Sequence, residues 1–153
     1  MMPYIFYYSS MAIIILTFLL LIKKLNLASI IIGFTTIGYS LTNDILFGDR
    51  LKLFYYISPD KSTFYMVLSA ILLYPMLNII YLMFLPRNIK PHLLYTSIWI
   101  AAMLVFEYAS LKTKTIVFTG WQPIPWSIVV YIVTYLWINI YYSILTKRLN
   151  AKK

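Results

Sequence analysis

The sequence predicts an all-α integral membrane protein, a bundle of five transmembrane helices forming a single domain over residues 1–153. Three observations carry that prediction. Of the 153 residues, 62% are hydrophobic and 11% charged, with a mean hydropathy of +0.82. Soluble domains carry about 25% charged residues, so this chain has too little charge to cover a globule. Apolar runs long enough to cross a bilayer recur five times, at about 4–22, 25–47, 63–85, 92–111 and 126–146. The 13 Lys+Arg against 4 Asp+Glu fall mostly in short clusters between those runs, the pattern of membrane topology rather than of nucleic-acid binding.

Composition also excludes chemistry. There is no cysteine, which removes disulfides, thiolate nucleophiles and Cys-ligated clusters. A single histidine, His92, rules out a multi-histidine metal site. No Gly-rich phosphate loop, HExxH or GxSxG motif occurs, so neither a cofactor nor a metal is expected.

The first span, Tyr4–Ile22, ends at Lys23-Lys24. It lacks a basic leading segment and a small-x-small cleavage pattern, and reads as an uncleaved anchor. Tyr4, Phe6, Tyr7 and Tyr8 suit an interfacial belt. The second span is distinctive. Asn26, Ser29, Gly33, Thr36, Ser40 and Asn43 recur at steps of three and four, one face of a helix. Lipid offers such a seam no hydrogen bonds, so it turns towards other helices. The seam is expected to pack, with Asn78 of the third span and Asn139 of the fifth as its distant partners.

The loop Asp49–Ser62 holds a short apolar run, Leu53–Ile57, expected to lie among headgroups. The third span contains Pro75, which removes a backbone hydrogen bond and should kink it. The fourth begins at His92, whose ring is expected to be solvated, and carries Glu107 near its end. The segment Lys112–Pro125 has the turn residues Gly120, Pro123 and Pro125. The fifth span is rich in Tyr and Trp, and residues 147–153 form a basic tail expected to be cytoplasmic and frayed. Counted by loop, eight Lys/Arg fall on the side of the first and third turns and the C-terminus, and five on the other. The richer side should be cytoplasmic, with the N-terminus outside the cell membrane.

Asp44 and Glu107 are the residues best placed for chemistry. Each sits near the C-terminal end of its helix, and both helices run the same way, so both acids belong to one leaflet. The negative end of the helix dipole disfavours a carboxylate there. Either a shifted titration or a cationic partner, Arg50, Lys112 or Lys114, is then expected. Two readings follow: interface ion pairs that hold loops down, or a shared polar pocket lined by Asn43, Asp44, Glu107 and Trp121.

The order of several features adds a resemblance. Asp44 ends the second span, Leu73-Tyr74-Pro75 lies inside the third, and Phe106-Glu107 leads through a loop to Gly120-Trp121, then Ser127 and Tyr131. Over most of residues 25–146 this resembles a family of small multi-spanning membrane proteins, found mainly in spore-forming Bacillota, whose members have no assigned function. The resemblance implies that Asp44, Glu107 and Trp121 act as a group. Members often carry His two residues after the Trp; here that residue is Pro123, so a His-dependent role does not carry over.

The expected function is association in the lipid bilayer, as a small subunit, scaffold or ligand-sensing element, with a second copy or another membrane protein as partner and no nucleic acid. The alternatives are an oligomeric transporter or channel subunit for protons or a small solute, using Asp44 and Glu107, and an intramembrane enzyme acting on a lipid or isoprenoid.

Overall fold

The structure is a computed structural model and describes residues 1–151. Five helices are long and apolar enough to span a membrane: Met2–Lys24, Leu27–Arg50, Pro59–Met83, Ile89–Lys112 and Pro123–Leu149. Large apolar side chains such as Ile13, Leu20, Phe34, Ile98 and Leu136 point outward, as a bundle surrounded by hydrocarbon requires.

The elements follow the sequence closely. Helix α1 is Met2–Leu21 and closes in a 3-10 turn at Ile22–Lys24. Helix α2, Leu27–Asn43, starts at a reciprocal cap. The Asn26 side chain accepts from the Ser29 backbone N–H, while the Ser29 hydroxyl accepts from the Asn26 N–H. The third span divides into α3 (Ser62–Leu68) and α4 (Tyr74–Met83), joined by a wide π-helical turn at Ser69–Leu73. Pro75 explains that turn, having no N–H to give the carbonyl one turn back. Helix α5 is Ile89–Lys112 and α6 is Ile128–Asn150. The helix therefore runs through Lys147 and Arg148, where a frayed tail was expected; Lys152 and Lys153 lie outside the described residues.

The all-helical expectation needs one addition. Strand β1, Phe54–Tyr56, pairs antiparallel with β2, Ile116–Phe118, with Tyr55 opposite Val117. The run Leu53–Ile57 is thus paired with the other long loop. Pairing satisfies backbone groups that an apolar segment at the bundle end would otherwise leave bare. Lys52, Ile57 and Lys114 take left-handed φ angles of 55°, 61° and 58°. These costly positions, about 1–2 kcal/mol each for side-chain-bearing residues, bracket both strands and keep the ribbon short.

The ribbon defines the two ends of the bundle. Thr115 donates to the Pro3 carbonyl (3.3 Å), which puts the start of α1 at the ribbon end. At the opposite end Asn26 donates to the Tyr142 hydroxyl (3.1 Å) and Lys24 lies 4.3 Å from the Phe84 ring centroid. The tightest helix contact is α2 on α4. A Cβ at Gly33 would stand 2.6 Å from Ile79 Cδ1, so only glycine admits this approach unchanged. One core cluster gathers Tyr7, Tyr65, Met66 and Leu73; the other gathers Ile32, Tyr81, Leu82, Tyr135 and Ile138.

Candidate functional site

A cavity of about 210 Å³ opens beneath the ribbon. Its walls come from four spans: Thr36, Ser40 and Asp44 of the second, Tyr74 and Asn78 of the third, Glu107 of the fourth and Tyr131 of the fifth. Phe54 and Tyr56 of β1, Phe118 of β2 and Trp121 close it on the ribbon side. All four residues of the expected pocket, Asn43, Asp44, Glu107 and Trp121, line it.

Local structure explains how they meet. Beyond Asn43 the second span changes from α to π winding over Asp44–Arg50. A π turn holds an extra residue and redirects the side chains that follow it, and Asp44 is its first residue. A second wide turn, Pro123–Ser127, contains the extended residue Ile124 and delivers Ser127 to the top of α6. The ribbon fixes Trp121, because the Leu53 carbonyl accepts from the backbone N–H groups of Thr119, Gly120 and Trp121 at 2.9, 3.0 and 3.1 Å.

Glu107 is held by a defined set of donors. Ser127 Oγ donates to Oε1 (2.6 Å) and Tyr131 Oη donates to Oε2 (2.9 Å). Ser127 and Tyr131 are four apart on α6, so one face of one helix presents both hydroxyls. Trp121 Nε1 donates to Ser127 Oγ (3.0 Å), completing a relay from the ribbon to the carboxylate. Such hydroxyl bonds to an ionised acceptor are short and strong.

Asp44 stands in contrast. The residue is 7% exposed, and its Oδ2 has no hydrogen-bond partner. The expected cationic partners are not there. Among the described residues the one ion pair is Lys52–Asp49 at 3.8 Å, on the surface, and no Lys, Arg or His lines the cavity. The ion-pair reading of Asp44 and Glu107 is therefore corrected: hydroxyls serve Glu107, and the Asp44 Oδ2 is unserved. Lys112, offered as a partner for Glu107, lies 5.3 Å from the Tyr108 ring centroid instead.

Aromatic rings and phenols fill the space around the acids. Tyr56 and Tyr74 are hydrogen-bonded through their hydroxyls. Burial, reinforced by nearby Asp44, pushes the Tyr56 phenol well above its ordinary value, so it stays neutral at physiological pH. Phe47 and Phe54 meet Trp121 edge-on at centroid distances of 5.6 and 6.4 Å.

The seam of α2 splits at Thr36. Below it, Ser29 and Gly33 are buried in helix contacts and Asn26 caps the helix. Thr36 accepts from Asn78 Nδ2 (3.3 Å), and from there upward Ser40, Asn43 and Asp44 face the cavity. Asn139 is not a partner of the seam. Its Oδ1 accepts from Tyr81 Oη (2.8 Å), whose oxygen also pairs with Thr96 (2.7 Å). The cause is the face it occupies: Asn139 lies on the side of α6 that meets Tyr81 and Thr96, not on the side that meets α2. His92, expected to be solvated, sits with its Nδ1 3.2 Å from the Pro86 carbonyl oxygen.

Sequence reasoning missed Tyr56 as a wall residue, and reached Tyr74, Ser127 and Tyr131 only through the resemblance. The spacing of Ser127 and Tyr131 was a usable signal, since two hydroxyls at i and i+4 face one neighbour. Nothing in the sequence marked Tyr56, whose position depends on strand pairing across two distant loops. No family model, curated protein or solved structure matches the chain.

Proposed function

We propose that this chain is a multi-pass protein of a bacterial plasma membrane that works as a ligand-sensing element, taking a small solute into the cavity beneath the ribbon. The observation that carries the reading is Asp44, buried beside Glu107 in a shared cavity yet without a partner for Oδ2. A buried carboxylate oxygen left alone costs stability. Such a group calls for a partner that the protein does not itself supply, a bound water, ion or ligand. Glu107, by contrast, is prepositioned by Ser127 and Tyr131, as a binding group needs to be.

The ribbon end faces outward in this reading, with the N-terminus outside and the basic C-terminal tail in the cytoplasm. Support comes from the eight-to-five distribution of Lys and Arg between the two sides. The outward apolar faces of α5 and α6 are available for a second copy or another membrane protein, through which occupancy would be reported.

Transport is the second reading. A smaller cavity of about 40 Å³ lies behind the wall formed by Tyr56, Tyr74, Glu107 and Tyr131, and is itself lined by Tyr7, Ser69, Ser110 and Thr115. Polar groups thus continue past the carboxylates. Five spans are few for a monomeric carrier, so this reading requires an oligomer.

The chain lacks cysteine, which makes labelling of single introduced thiols direct. Ser40→Cys, within the cavity, should react in intact cells with a small membrane-impermeant thiol reagent. Arg87→Cys, at the opposite end, should react only after permeabilisation. A Ser40→Cys that stays unreactive in opened membranes contradicts the binding site, and one that reacts only after permeabilisation contradicts the orientation.

A further inference from the structure

We infer that the cavity selects a small organic cation, an alkyl- or arylammonium, with its charge between Asp44 and Glu107 and its apolar body against the aromatic walls. The inference rests on the reading of the cavity as a ligand site and adds the chemical class of the ligand.

Charge is the first argument. The chain as a whole carries +9, so its average field repels cations. The cavity is the local exception: its charged residues are two acids, and no basic side chain lines it. Glu107 accepts from two hydroxyl donors, yet no basic side chain of the protein pairs with it. Asp44 Oδ2 has neither donor nor countercharge. An anionic guest would meet two carboxylates at close range and be rejected. A neutral apolar guest would leave Asp44 as costly as before. A cationic guest supplies a countercharge to the two acids that line the cavity, and in a site of low polarity that attraction is worth far more than in water.

The walls are the second argument. Rings reach the cavity from five separate segments: Phe47, Phe54, Tyr74, Trp121 and Tyr131. Aromatic faces attract a cation most strongly once it has shed its water. An organic ammonium, whose charge is spread over alkyl groups, loses its water far more readily than a metal ion. Among the described residues no group of three or more His, Cys, Asp and Glu could hold a metal, which agrees with a guest held by two acids and rings rather than by coordination. The volume is the third argument. The cavity's volume of about 210 Å³ is many times the roughly 10–15 Å³ that admits a single water and leaves room for a compact ammonium.

The test is calorimetric titration of the full chain, purified in mild detergent at constant ionic strength. The probes are choline, benzyltrimethylammonium and the uncharged isostere of choline in which carbon replaces the ammonium nitrogen. The inference predicts saturable binding of one or both cations, with the isostere weaker by roughly ten-fold or more, the size of a lost charge-assisted contact. Asp44→Asn should remove most of that preference, and Glu107→Gln, a substitution at a second wall, should reduce it independently. Equal binding of choline and its isostere overturns the inference while leaving a ligand site in place. So does a cation preference that survives both substitutions together. Binding of none of the probes by a protein whose Ser40→Cys form is labelled normally also overturns it, since the site is then reachable but does not take these cations. Failure of the labelling itself is what would remove the ligand site.

Discussion

Far from the ribbon, Tyr81 is completely buried, and its hydroxyl is shared between Thr96 (2.7 Å) and Asn139 (2.8 Å). Tyr95 donates to the Tyr81 carbonyl (3.0 Å), and Trp99 Nε1 to the hydroxyl of Tyr135 (2.6 Å). The rings pack as well: Tyr81 stacks on Tyr95 at a centroid distance of 5.3 Å and meets Tyr135 tilted at 4.8 Å. At the ribbon end the same residue types, Tyr, Trp, Ser and Asn, surround an open space and an acid whose Oδ2 has no partner. The first arrangement is closed, each member serving another. The second is closed around Glu107 and open at Asp44.

The difference teaches how to read polar residues in an apolar bundle. Tyr, Asn or Trp inside a span does not by itself mark a site, because hydrogen-bonding helices to one another is the commonest use of such residues. What separates the two ends is saturation. Winding follows the same division: the helices around Tyr81 and Asn139 are regular α, whereas nearer the ribbon the second and third spans turn to π winding at Asp44–Arg50 and Ser69–Leu73, and the fifth is interrupted by the extended Ile124 within Pro123–Ser127. Regular helices pack to native density, while wide turns leave room.

Substitutions can break this comparison. The largest effect is expected at the α2–α4 contact shared by both ends. Gly33→Val puts a branched side chain where even a Cβ meets Ile79 Cδ1 at 2.6 Å. Overpacking of this kind costs about 1–3 kcal/mol. The thermal midpoint in detergent should fall, and Asn78 should lose its register with Thr36. A midpoint equal to that of the unaltered chain would mean that the two helices are not held at this distance.

The next effect sharpens the closed end. Tyr81→Phe keeps the ring and removes the hydroxyl between Thr96 and Asn139. The loss expected for such a membrane hydrogen bond is about 0.6–2 kcal/mol, read as a lower unfolding midpoint. Labelling of Ser40→Cys should not change with it, because the substitution keeps the ring that packs on Tyr135, itself a wall residue of the cavity. Altered labelling would merge the two regions into one.

Much of this was legible in the sequence, and the parts that were not share a cause. The five spans follow from hydropathy and length. The seam from Asn26 to Asn43 follows from helical spacing, and the positions of Asp44 and Glu107 near helix ends of one leaflet singled out two acids that line one cavity with Asn43 and Trp121. The partners of the acids were not legible. Arg50, Lys112 and Lys114 are near in sequence, but long cationic side chains at the end of a bundle turn to water, whereas Ser127 and Tyr131 lie inside it. The strands at Phe54–Tyr56 and Ile116–Phe118 were hidden because each is three residues long. Neither has a period to detect, and each forms only because the other loop is at the same end. Asn139 was misassigned for a related reason: distance along the chain says which helix a residue belongs to, not which neighbour its face meets.

The central claim is that the polar layer at Asp44 is kept open for a guest at a cost to stability, while the layer at Tyr81 is closed and stabilising. The direct test sets Asp44→Asn beside Tyr81→Phe, with thermal midpoints of the purified protein taken in one detergent at pH 7 without added solute. An amide costs less to bury than an unpaired carboxylate, so Asp44→Asn should raise the midpoint by the equivalent of about 1 kcal/mol or more while Tyr81→Phe lowers it. A fall in the Asp44→Asn midpoint, of the size seen with Tyr81→Phe, would contradict the account, for it would make Asp44 one more structural link in the bundle.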